Sequence, residues 1–83
     1  MKKKIEEFCE INEIEVIFID NFDDAIVGLI KSYGEEYKVL YDTDKVISIL
    51  SESMDEEQAV EFFEFNIIGA YMGKNTPAFT ENV

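Results

Sequence analysis

The 83-residue chain contains no histidine, no arginine and no tryptophan, and only one cysteine and one proline. Each absence closes off a class of chemistry. Without histidine the commonest general acid–base group is missing, and without arginine so is the planar fork that clamps phosphate or carboxylate. There is no GxxxxGK[ST], GxGxxG or GxSxG run, and no Cys or His cluster spaced for zinc. The sequence therefore reads as that of a non-enzyme, with no catalytic residue, no metal site and no cofactor assigned. A lone Cys9 cannot form an intrachain disulfide, which fits a reducing compartment, and its simplest role is that of a small buried hydrophobe.

Positive charge is also scarce: seven lysines face 19 Asp and Glu, for a net charge of −12. Nucleic acid and anionic membrane are both bound through clustered Lys and Arg, so neither is expected as a direct partner. Met1-Lys2-Lys3-Lys4 has the charge of an export signal's start, but Ile5-Glu6-Glu7-Phe8 follows where its apolar core should be. Ile14 to Ile19 falls far short of the roughly 20 apolar residues that a bilayer span needs. A cytoplasmic location is the expectation.

What the chain does have is apolar surface. Some 47% of its residues are apolar and eleven are aromatic, enough for a core that disordered chains of high net charge lack. One α+β domain over residues 1–83 is expected, loose at 1–3 and 80–83. A core this small contributes on the order of 3–5 kcal/mol, and self-association into a homodimer is one way to add to it.

Ile5, Phe8 and Cys9 fall at i, i+3 and i+4 among glutamates, which predicts a short N-terminal helix over 3–11. Glu13 to Asp20 alternates and then becomes β-branched and aromatic, a predicted strand, with a turn over 21–24. Ala25 to Ile30 reads as a buried strand. A turn at Ser32-Tyr33-Gly34-Glu35 leads to a third strand through Tyr37, Val39 and Tyr41, so that a small antiparallel meander results. Asp42 or Thr43 caps a helix over about 44–52. A longer helix over 55–72 starts with Asp55, Glu56 and Glu57 and stops at Gly73, with Pro77-Ala78-Phe79 a short extended segment beyond. The two C-terminal helices should pack on the meander.

Carboxylates crowd two turns, Asp20, Asp23 and Asp24 in one and Asp42 and Asp44 in the other. Oxygen ligands for Mg²⁺ or Ca²⁺ could converge there, but neither segment has the EF-hand spacing, and turn formation and helix capping are the preferred reading. The helix 55–72 carries more information. Ala59, Phe63, Asn66, Ile67 and Ala70 lie in one arc, flanked by Val60 on one side and by Phe62, Phe65 and Gly69 on the other. So wide an apolar arc belongs either to the centre of the core or in part to a second chain. Asn66 within it needs a partner, from neighbouring backbone or across an interface where it sets specificity, and Gly69 and Ala70 beside it allow close approach. Opposite runs an acidic stripe of Glu57, Glu61 and Glu64, which serves solubility or meets a basic partner.

The segment DEEQAVEFFEFNIIGAYMGKNTPAF, residues 55–79, resembles the closing segment of a family of short uncharacterised proteins encoded by bacteriophages and prophages. FDDAIVGL (22–29) and VLYDTDKVISIL (39–50) echo it more weakly. Phe65-Asn66, Gly69-Ala70, an aromatic at 71, Gly73 and Thr76-Pro77 carry the likeness. Tyr71 stands where Trp is frequent in the family and Asn21 where Gly is. The resemblance implies origin, not activity, and no catalytic or ligand residue is carried over. Small acidic phage proteins often bind a host protein, some as mimics of nucleic acid. The expected function is thus non-enzymatic binding of a basic host or phage protein through the acidic surface. The alternatives are a homo-oligomeric structural or accessory subunit, with Asn66, Gly69 and Tyr71 at its interface, or a small-molecule pocket near Asn66, Tyr71 and Thr76.

Overall fold

A computed structural model describes residues 1–81. Helix α1 (Lys2–Asn12) buries Ile5 and Cys9, two of the three positions that the spacing singles out. It stops in a Schellman turn: Ile14 donates its N–H to the Cys9 carbonyl at 2.8 Å and Glu13 to that of Glu10, with Glu13 itself left-handed at φ 53°. Lys2 is held at the other end, its ammonium 3.7 Å from the Asp23 carboxylate and 5.0 Å above the Phe18 ring.

The sheet has three strands in the order β1 (Ile26–Ile30), β2 (Lys38–Tyr41), β3 (Ala78–Phe79). β1 and β2 pair antiparallel, with Leu29 opposite Val39 and an irregularity in register between Ile26 and Gly28. The loop between them turns at Gly34, whose φ of +76° few residues besides glycine adopt without strain. β3 pairs with β2 in parallel, so the sheet is mixed and the antiparallel meander is confined to its first two strands.

The predicted strand over 13–20 is absent. Ile14, Val16, Phe18 and Ile19 pack half-buried on the core, but side chains hold the segment in place of a ladder. Ile19 donates its N–H to the Tyr41 hydroxyl at 2.8 Å, and Asn75 donates its amide to the carbonyls of Glu15 and Tyr37, at 3.0 Å each. The pattern signals the burial correctly, with Glu13 and Glu15 exposed and Val16 to Ile19 all half-buried; it cannot signal what satisfies the backbone. At the following turn Asn21 has φ +75°, a conformation that asparagine tolerates better than most residues.

Helix α2 (Thr43–Leu50) starts as expected, with the Asp42 carboxylate accepting the Lys45 N–H at 3.2 Å. The Thr43 hydroxyl donates to the Thr80 carbonyl, and Thr80 donates its N–H to the Tyr41 carbonyl at 2.9 Å. Of the tail expected to be loose, Thr80 is thus tied to the sheet, while residues 82 and 83 lie outside the described residues. Helix α3 (Glu56–Phe62) comes next, and from Phe63 to Ile68 the same helix continues with π winding. Tyr41, Phe79 and Phe63 join helix to sheet. Phe79 stacks on Tyr41 at 5.8 Å between ring centres and meets Phe63 edge-on at 5.2 Å.

Candidate interaction surface

The helix from Glu56 to Ile68 is fixed first at its N-terminus. The Asp55 carboxylate accepts the Gln58 N–H at 2.8 Å and the Gln58 side chain accepts the Asp55 N–H at 3.4 Å, a reciprocal capping box. Glu56 and Glu57 in the first turn suit the positive end of the helix dipole. Ala59, Phe63 and Ile67, four residues apart, make the buried line against the sheet.

The wider turn beyond Phe62 redistributes the side chains from Phe63 to Ile68. In π winding each N–H reaches the carbonyl five residues back, so a turn takes more residues than the 3.6 of an α-helix and successive side chains advance by a smaller angle. Ile67 therefore stays over the core, and Asn66, expected inside the apolar arc, is exposed. The expected buried amide is thus absent, and with it the need for an interior partner. Phe65 is 79% exposed and Phe62 41%. Ile68, Tyr71 and Met72 are exposed beyond them.

The helix also ends earlier than expected, at Ile68 with Gly69 as its cap instead of at Met72. The Thr76 hydroxyl takes the Met72 N–H at 2.8 Å and donates to the Gly73 carbonyl at 2.6 Å, drawing this segment into a turn with Gly73 at φ +102°. Gly69 is exposed, with the Phe65 carbonyl only 3.0 Å from where a Cβ would stand, so it closes the helix and lies outside the core. Tyr71 and Thr76 line a cleft with Glu35, Lys38 and Lys74, whereas Asn66 lines another with Met54, Gln58, Glu61, Phe62 and Phe65. The pocket expected near Asn66, Tyr71 and Thr76 is split between two separate clefts.

Glu57, Glu61 and Glu64 are all exposed on this helix. Residues 51–73 hold six carboxylates (Glu52, Asp55, Glu56, Glu57, Glu61 and Glu64) and no lysine. The ion pairs among the described residues are Lys2 with Asp23 and Lys38 with Glu35, and neither reaches the helix. The residues that sequence reasoning misses are Phe62 and Phe65, which it sets at the margin of a core-facing arc. A signal for Phe65 is present: 57, 61 and 65 run at i, i+4 and i+8, on the acidic line.

Elsewhere, Asp42 is occupied as the α2 cap and Asp23 lies beside Lys2. Among the described residues no three Asp, Glu, His or Cys side chains gather where an ion could sit, and no helix is long and apolar enough to cross a membrane. Burial pushes the Cys9 thiol and the Tyr41 hydroxyl up from their ordinary values. At Tyr41 the nearby Asp23 and Asp20 add to the rise, and the hydrogen bond from Ile19 opposes it. No protein-family model, curated protein or solved structure matches the chain.

Proposed function

We propose that the chain is a non-enzymatic cytoplasmic protein of phage or prophage origin that binds a basic host or phage protein through the outer side of α3 and its π continuation. The observation that carries this reading is the uncompensated charge of residues 51–73, with Glu57, Glu61 and Glu64 exposed along one helix. Like charges at i, i+3 and i+4 weaken a helix by a few tenths of a kcal/mol per pair, and of the three only Glu57, in the first turn, gains from the helix dipole. Opposite a basic surface the same carboxylates become long-range attraction that steers encounter. Proteins that hold nucleic acid present such surfaces, and the likeness of residues 55–79 to phage and prophage proteins supports this context.

The test is capture from a bacterial lysate by wild-type chain and by E57Q/E61Q/E64Q, at low and at high salt, with the bound proteins identified. Basic proteins held by the wild type at low salt, and held less by the triple variant, are the expected result. A captured set that changes with neither salt nor substitution would remove the stripe from the account.

The exposed Phe62, Phe65 and Ile68 favour a second reading, a homo-oligomeric accessory subunit assembled through this ridge. Such an oligomer would form alone, indifferent to the three Gln substitutions and sensitive to changes at Asn66 and Gly69.

A further inference from the structure

Phe62 and Phe65 do not stand alone on the helix. Together with Met54, Gln58, Glu61 and Asn66 they line an open cleft of about 450 Å³. Three of its lining residues are apolar, and the others bring one carboxylate and two amides. Glu57 continues the acidic line one turn N-terminal of Glu61, and no lysine lies within residues 51–73 to neutralise it. Aromatic anchors surrounded by polar groups are the arrangement in which a few side chains dominate a protein interface. The π winding contributes directly, since it turns Asn66 out to join Phe62 and Phe65 at the cleft.

We infer that this cleft is the docking site for a basic amphipathic helix of the partner protein, one bulky apolar side chain seating against Phe62 and Phe65 while flanking Lys or Arg meet Glu61 and Glu57. The inference rests on the reading of the chain as a binder of basic protein, and it names the anchor that charge alone does not provide. Charge complementarity selects the occupant. A second copy would bring its own carboxylates against these with no cation in the segment to pair them, and nucleic acid would be repelled. A helix meets the requirement because its i, i+3 and i+4 positions set an apolar anchor beside cations along one face.

The probe is a synthetic Leu/Lys amphipathic helix with a single Trp anchor, titrated into the ¹⁵N-labelled full chain. Gln58 is the only glutamine in the sequence, so its side-chain amide reports on the cleft without ambiguity. The expected result is a shift of the Gln58 and Asn66 side-chain amides on binding. F62A/F65A should then weaken the affinity about tenfold or more, with the salt dependence kept. F65A alone, at the more exposed of the two positions, should show a smaller loss in the same direction and guards against a fold defect in the double variant. Unchanged affinity in both variants would mean that the carboxylates act without the cleft, overturning this inference and leaving the broader reading standing. No binding to wild type at low salt would overturn both. Self-association of the free chain that F62A/F65A abolishes would assign the cleft to a second copy and overturn the inference as well.

Discussion

Phe63 and Phe65 stand two positions apart on one continuous helix, yet the first is 3% exposed and the second 79%. Phe63 meets the Phe79 ring edge-on and lies in line with Ala59 and Ile67, whereas Phe65 lies in line with Glu57 and Glu61. Residue type does not separate the two; what lies opposite each does. One side of the helix packs into the fold, and the other is exposed.

The largest expected effect breaks the first side. Phe63→Ala removes a buried ring and should cost about 3–5 kcal/mol, enough to unfold a domain of this size. Phe65→Ala should stay within about 0.5 kcal/mol of wild type. Chemical denaturation of the pair checks the contrast, and equal losses would place both residues in the core.

Next comes the ring on which Phe79 rests. Tyr41→Phe keeps the stacking but leaves the Ile19 N–H without its acceptor, an expected loss of about 1–2 kcal/mol. The same hydroxyl predicts a pH dependence. Its folded value lies above the ordinary 10.0, so the folded state holds the proton longer than the unfolded state does. The stability this contributes is complete below the ordinary value and is lost as pH rises through the raised one. Alkaline melts should fall in that range for the wild type and less steeply for Tyr41→Phe; parallel curves would contradict this.

Smaller still is the cap at the start of the helix. Asp55→Ala removes the acceptor for the Gln58 N–H and should cost about 1 kcal/mol by thermal melting. Smallest is E57Q/E61Q/E64Q. Relief of like-charge repulsion along the outer side offsets the lost dipole interaction of Glu57, so stability should stay within a few tenths of a kcal/mol of wild type. A clear loss of stability would show that these carboxylates serve the fold.

The elements legible in the sequence are those whose signals are local. α1, β1, β2 and α2 all come from spacing, β-branching or a capping residue within a few positions, whereas Asp55, read as the first residue of its helix, is the cap before it. The illegible elements depend on distant partners. Residues 14–19 look like a strand because they alternate, but the two neighbours of β2 are set by a hairpin and by Ala78–Phe79 from the far end of the chain. Asn66 falls inside a core arc only if the helix keeps 3.6 residues per turn, and the change of winding at Phe63 cannot be read from spacing. Gly73 resembles a helix stop because glycine is common there; the Met72 N–H instead goes to the Thr76 hydroxyl, outside the helix ladder, and the helix has already closed at Gly69. Of the candidate site, the acidic line is visible in the sequence and the aromatic cleft beside it is not.

The central claim is that the outer side of this helix contributes to binding and not to folding. Isothermal titration of the Lys-rich amphipathic helix against wild type and against E57Q/E61Q/E64Q, at low and at high salt, tests it most directly. The account predicts tight binding by wild type that weakens sharply with salt, and weaker binding by the triple variant with a flattened salt dependence. Equal affinity of the two proteins at both salt levels would contradict it.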